Sequence, residues 1–123
     1  MRAAALRRST YEWAQHLFIA RDAGLSDIEI CWIVWGPDAP VWSTADASLL
    51  RAVDDLVLDG VIKDSTWVGL AEHLDGQQIL DVIFTAGSYT MLASMLDSLD
   101  IELDDDLRSG VAVLTERSTT TDG

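Results

Sequence analysis

The segment from Ile79 to Leu99 constrains the fold of this chain more than any other. Asp75-Gly76-Gln77-Gln78 supplies a helix start, and the residues that follow are apolar over much of a helical circumference. A helix of that kind is buried from more than one side, and a domain of this size cannot surround it with one subunit alone. We therefore expect a helical domain whose longest helix also packs on another copy.

The other periodic segments are also helical, and no convincing alternation typical of a strand occurs. Ser9 and Glu12 have the spacing of a capping box, and Gly24 stands where a helix ends. Ser26 and Asp64 predict the starts of two further helices, and Gly60 predicts the end of another. The five predicted helices cover about 10–23, 26–35, 44–59, 65–74 and 76–99.

Length and charge limit the class of protein. A chain of 123 residues forms one domain, which we divide into a short N-terminal extension (1–8), a helical domain (9–107) and a flexible tail (108–123). Its 21 acidic and 8 basic residues give a formal charge of −13, which argues against nucleic acid or an anionic membrane as partner. Asp81 interrupts the longest apolar stretch and no secretory signal occurs, so we expect a cytoplasmic protein.

Glu12 and His16 are the first candidates for chemistry. They lie four residues apart, so a helix places both on one face, at the upper end of its core-facing side. A carboxylate beside an imidazole fixes the tautomer of the ring and raises its basicity, as proton transfer requires. The structural alternative is a capping glutamate with a partly buried histidine.

The sequence around this pair extends the pattern. Tyr11-Glu12-Trp13-Ala14-Gln15-His16, then 49–56, 62–74 and Phe84-Thr85-Ala86-Gly87-Ser88-Tyr89-Thr90-Met91-Leu92, resemble the carboxymuconolactone decarboxylase family of the alkylhydroperoxidase D-like superfamily. The resemblance covers residues 9 to 103. It implies an all-α, alkylhydroperoxidase D-like domain of about five to six helices, assembled as a trimer or hexamer.

The resemblance also implies an activity, a cofactor-free lyase acting on a small unsaturated lactone or carboxylic acid. His16 is then the proton-transfer group and Glu12 its catalytic partner, and Ser9, Trp13 and Tyr89 bind the substrate. Departing carbon dioxide leaves its electron pair in a conjugated dienolate, which needs an oxyanion stabiliser and a general acid for carbon. That scheme requires neither an organic cofactor nor a metal, and no recognisable third metal ligand accompanies the pair.

Departures from the family pattern disfavour one alternative function and favour another. The hydroperoxidase motif Cys-x-x-Cys-x-x-x-His has Ser9 and Glu12 at its cysteine positions, which leaves peroxidase (peroxiredoxin-like) turnover without a thiolate. Cys31 lies in an apolar helix and is expected to act as a small hydrophobe. The short start, Val57 in place of a frequent histidine, and Gly87-Ser88-Tyr89 in place of Gly-Gln-Tyr favour a non-catalytic oligomeric relative that binds a small molecule.

Cations for an acidic substrate are scarce. Arg21 and Arg51 are the better placed, and each is also an ordinary residue of a helix surface. His73, near a helix end, is expected to interact with the helix dipole rather than to act in catalysis. The net negative charge repels a dicarboxylate at long range, so such a substrate needs a local positive site.

Overall fold

The structure, a computed structural model, describes residues 1–101, and this part of the chain is built from six α-helices without a strand. The all-α fold predicted from the sequence, with five to six helices, is thereby confirmed. Residues 102–107 of the predicted domain and the predicted tail lie outside the described residues. The helices are α1 Arg2–Leu6, α2 Thr10–Asp22, α3 Asp27–Trp35, α4 Thr44–Asp59, α5 Asp64–Ala71 and α6 Gly76–Ser98.

Local capping accounts for the starts of α3 and α6 and for the end of α4. At α3 the Ser26 hydroxyl accepts the Glu29 backbone N–H at 3.1 Å, and the Glu29 carboxylate accepts the Ser26 N–H at 3.1 Å. Asp75 forms the same reciprocal pair at the start of α6. Helix α4 ends at Gly60, whose φ of 75° is a left-handed conformation that favours glycine. These starts and ends follow the predicted ones.

The start of α2 differs from the prediction. Ser9 is the N-cap residue, but its side chain makes no capping hydrogen bond, so the predicted capping box with Glu12 does not form. Both side chains are instead buried, at 1 % and 2 % exposure. Packing against the rest of the molecule has turned them inward, where sequence spacing alone favoured a local bond.

Helix α1 lies in the stretch predicted as an extension, and a long-range ion pair holds it. The Arg2 guanidinium donates to both carboxylate oxygens of Asp54 on α4, at 2.6 and 3.0 Å. It also donates to the backbone carbonyls of Ile33 and Val34 at the end of α3. Gly36 makes room for it, because a Cβ at this residue would lie 3.0 Å from the guanidinium. Arg2 therefore joins α1 to two other helices.

The core consists of two clusters that place α2 and α6 in the molecule. Leu17 and Ala20 of α2 pack with Ile30 of α3, and a larger cluster joins α4, α5 and α6. The buried members of the larger cluster are Ala52, Ile62, Leu70 and Ile79. Helix α5 ends at Ala71 instead of Leu74, because the following turn, with the His73 N–H bonded to the Leu70 carbonyl, leads into the cap of α6.

Helix α6 is buried on one side only within the protomer. Ile79, Ala86, Ala93 and Leu96 face the core, while large apolar residues on other sides remain exposed. The helix is long and apolar enough to cross a membrane by length and composition, but a single helix of this kind is weak support for a membrane span. The cytoplasmic location therefore stays a prediction.

Candidate functional site

His16 on α2 is held between its own helix and α6. Its Nδ1 lies 2.9 Å from the Glu12 backbone carbonyl, and its Nε2 lies 3.1 Å from the Tyr89 hydroxyl. A carbonyl oxygen can only accept, so Nδ1 carries the proton in the neutral ring and Nε2 accepts from Tyr89. The two rings meet edge to face, with centroids 5.0 Å apart. The geometry fixes one tautomer and directs the basic nitrogen toward α6.

The Glu12 carboxyl group does not make the predicted contact with His16. It is the backbone of Glu12 that orients the imidazole, while both carboxyl oxygens are buried and have no hydrogen-bond partner within residues 1–101. Burial raises the pKa of Glu12 above its ordinary value; the charge of His16 opposes this shift and Asp97 adds to it. The carboxyl and the imidazole are thus coupled through charge, without a hydrogen bond between the side chains.

Ser9 and Trp13 pack into the interior of the molecule, Ser9 completely and Trp13 in part. The Ser9 hydroxyl is buried and, among the described residues, has no hydrogen-bond partner. The Trp13 side chain is half-buried and packs against the cluster of Leu17, Ala20 and Ile30. Of the five predicted site residues, His16 and Tyr89 are in contact, Ser9 and Glu12 are buried, and Trp13 packs on the cluster between α2 and α3.

A shallow open groove lies along α6 beside Tyr89. Its volume is about 500 Å³, and its lining residues are Phe84, Thr85, Ser88, Tyr89 and Leu92. None of these five is charged, so the groove suits the apolar body of a small ligand, with hydroxyl groups available for hydrogen bonds. The Tyr89 hydroxyl belongs both to this groove and to the bond with His16. A ligand in the groove would thus lie next to a titratable ring.

The other candidate residues lie apart from the groove lining. Arg21 is paired with Asp27 at 2.8 Å, and Arg51 lies 3.3 Å from Asp38 at the surface. Cys31 is a half-buried thiol on α3. Residues 1–101 contain no group of three or more His, Cys, Asp or Glu side chains arranged to hold a metal ion.

Three of the groove residues, Phe84, Thr85 and Leu92, were not singled out from the sequence, and Ser88 was noted only as a departure from the family pattern. Phe84, Thr85, Ser88 and Leu92 recur at three- and four-residue intervals, the spacing that brings side chains to one helix face. That spacing can be seen in the sequence. From it, however, we expected α6 to be buried from more than one side, partly by another copy, and not to line an open groove. The chain matches no protein-family model, no curated protein and no solved structure, so its resemblance to the carboxymuconolactone decarboxylase family stays a prediction from the sequence.

Proposed function

We propose that the protein is a cofactor-free lyase of the carboxymuconolactone decarboxylase type, which removes carbon dioxide from a small unsaturated lactone or carboxylic acid. The observation that carries the proposal is the bond between His16 Nε2 and the Tyr89 hydroxyl, 3.1 Å long, at the side of an uncharged groove. An imidazole fixed in one tautomer beside a ligand-sized groove suits general acid–base catalysis.

In this proposal the substrate lies along α6 with its reacting carbon near Tyr89. The bond to the carboxylate breaks, carbon dioxide leaves, and the electron pair enters a conjugated dienolate. His16, protonated from solvent at Nε2, delivers a proton to the carbon and returns to its neutral tautomer. The Tyr89 hydroxyl hydrogen-bonds the developing oxyanion. The backbone carbonyl of Glu12 keeps the ring oriented throughout.

The test is carbon dioxide release from a panel of unsaturated lactone carboxylates and acyclic acids. His16→Gln should lower the rate by about a hundredfold or more, the usual contribution of a general acid. The chain offers matched controls, because it has two histidines and two tyrosines. His73→Gln and Tyr11→Phe should retain the parent rate, while Tyr89→Phe should lower it. A parent protein inactive on the whole panel would contradict the proposal.

A second candidate function has one observation in its favour. The groove is open, and none of its five lining residues is a cation that could bind a carboxylate. This favours a non-catalytic protein that binds a small neutral or hydrophobic molecule along α6. Titration with the lactones and with their decarboxylated products, followed by NMR shifts of the Tyr89 ring, separates the two. Equal affinity for both sets without turnover supports the binding protein.

A further inference from the structure

Helix α6 carries an exposed apolar stripe that the protomer does not cover. The stripe consists of Leu80, Phe84, Met91 and Met95, whose exposures are 48, 64, 70 and 46 %. Gly87 and Ser88 lie at its centre. A helix of 23 residues is about 34 Å long, so the stripe runs along most of one side of the molecule. Continuous exposed apolar surface of this kind marks an interaction site.

The spacing of the stripe is symmetric about its centre. Leu80 and Met95 are equally far in sequence from the midpoint between Gly87 and Ser88, and so are Phe84 and Met91. If a second α6 lies antiparallel across that midpoint, Phe84 of each copy meets Met91 of the other, and Leu80 meets Met95. A two-fold interface requires this reciprocity, in which residue i contacts j and j contacts i.

We infer that α6 is the interface of a homodimer, in which two copies pack this stripe antiparallel with the two-fold axis at Gly87 and Ser88. The small residues at the centre permit close approach, and a Cβ at Gly87 would have open space around it within the protomer. Contact between Phe84 and Met91 pairs an aromatic ring with a thioether, which is favourable. Small residues between large ones give the interdigitation that helix packing requires.

Charge agrees with a second copy as the occupant. Asp81 is the only charged residue between Gly76 and Leu96, and the two copies of Asp81 would lie about 20 Å apart along the antiparallel helices. At physiological ionic strength that separation exceeds the Debye length of about 8 Å. A protein with a charge of −13 can therefore pair this face with itself although most of its surface repels a copy.

The same charges disfavour a bilayer as the occupant. No lysine or arginine occurs from residue 64 to residue 107, Asp75 precedes α6, and Asp97 lies in its last turn. Interfacial helices that bind anionic lipids carry Lys and Arg on their polar face. The opposite side of α6 is also committed to the core through Ile79, Ala86 and Ala93. A membrane span would require removing this helix from the fold.

The dimer would also change the groove. Phe84 and Ser88 belong both to the stripe and to the groove lining, so the second α6 would form a wall of the open site. This consequence for the groove rests on the proposed function. The interface itself does not, because the mass of the dimer can be measured without a ligand.

The experiment is light scattering on a sizing column, with the full chain from 1 to about 100 μM. We expect twice the chain mass of 13.5 kDa. Phe84→Glu and Met91→Lys should each give monomers, while the double variant Phe84→Glu/Met91→Lys should restore the dimer, because each glutamate then faces a lysine. Asp81→Asn is the matched control on the same helix and should remain dimeric.

Three results would overturn the interface. The first is a parent protein that is monomeric at every concentration, and the second is a trimer that Phe84→Glu leaves intact. The third is a double variant that stays monomeric although the double variant and the parent protein have the same helical circular dichroism. Flotation of the parent with neutral or anionic phospholipid vesicles would assign the stripe to a membrane and overturn it as well. A hexamer that Phe84→Glu splits into trimers would support it.

Discussion

Asp55 on α4 and Glu12 on α2 are both buried carboxyl groups, but only Asp55 has hydrogen-bond partners among the described residues. Asp55 accepts the Lys63 backbone N–H at 3.0 Å, and the Lys63 ammonium lies 3.7 Å away. Burial alone would raise the pKa of Asp55, but hydrogen bonds from Thr66 and Lys63 outweigh it and the pKa lies below the ordinary value. Glu12 has no hydrogen-bond partner among the described residues, and burial raises its pKa although the charges of His16 and the Met1 amine oppose the shift.

The two carboxyl groups therefore contribute differently to stability. Asp55 joins the end of α4 to the start of α5, and its ionised form stabilises the fold. Glu12 is kept in a buried position where no described hydrogen bond compensates its lost hydration, a placement that stability alone does not favour. The comparison can be tested at each group in turn.

Asp55→Asn should have the largest effect on stability. It removes the charge that accepts from Thr66 and Lys63, and we expect a loss of about 1–3 kcal/mol in the free energy of unfolding at pH 7. Urea denaturation followed by circular dichroism measures it. The matched control is Asp59→Asn: Asp59 also contacts Lys63, at 3.3 Å, but is half exposed, so its loss should stay below about 1 kcal/mol. Equal losses would contradict the structural role of Asp55.

The pH dependence of Asp55→Asn follows from the sign of the shift. A lowered pKa in the folded state means that the stabilisation is present above the ordinary value of 3.8 and is lost as the pH falls through the folded value. The difference in unfolding free energy between the parent and Asp55→Asn should therefore shrink below about pH 4. A difference that grows in acid would show that the ionised form is not the stabilising one.

Glu12→Gln should have a smaller effect of the opposite kind. Because burial raises the folded pKa of Glu12, its contribution to stability is present below the ordinary value of 4.5 and is lost as the pH rises through the folded value. The variant lacks this titration, so its stability relative to the parent should rise as the pH is raised from about 4 to about 8. Melting temperatures across that range measure the gain. A variant that loses stability relative to the parent as the pH rises would contradict the raised pKa.

Tyr89→Phe should have the smallest effect on stability. Its bond to His16 is exposed to solvent, so its removal should cost about 0.5 kcal/mol. Tyr11→Phe, which removes the hydroxyl that accepts from Gln15 at 2.9 Å, is the matched control and should cost no more. A large loss of stability in Tyr89→Phe but not in Tyr11→Phe would mean that the Tyr89 hydroxyl has a structural role rather than a role in the site.

The sequence predicted most of the helices but not the contacts that define the site. Ser26, Asp75 and Gly60 act within one turn, so their capping roles could be read from spacing. Helix α1 could not be predicted, because it has five residues, no side-chain cap and an anchor, Asp54, 52 residues away. A short helix without local signals depends on such tertiary contacts.

The site was predicted in part for the same reason. The i to i+4 spacing places Glu12 and His16 on one face, and that much could be read from the sequence. It does not decide whether the imidazole bonds to the carboxylate or to the backbone carbonyl of Glu12, and the structure has the second. The partner of Nε2, Tyr89, lies 73 residues further along the chain, beyond the reach of any local pattern.

The Glu12 backbone, and not its carboxyl group, fixes His16 with the proton on Nδ1 and the lone pair of Nε2 toward Tyr89. Long-range ¹H–¹⁵N correlation spectra of the His16 ring test it directly, at a pH where the ring is neutral. We predict a protonated Nδ1 and an unprotonated Nε2 in the parent, unchanged in Glu12→Gln and with a shifted Nε2 resonance in Tyr89→Phe. A ring protonated on Nε2, or one whose tautomer changes in Glu12→Gln, would contradict the account.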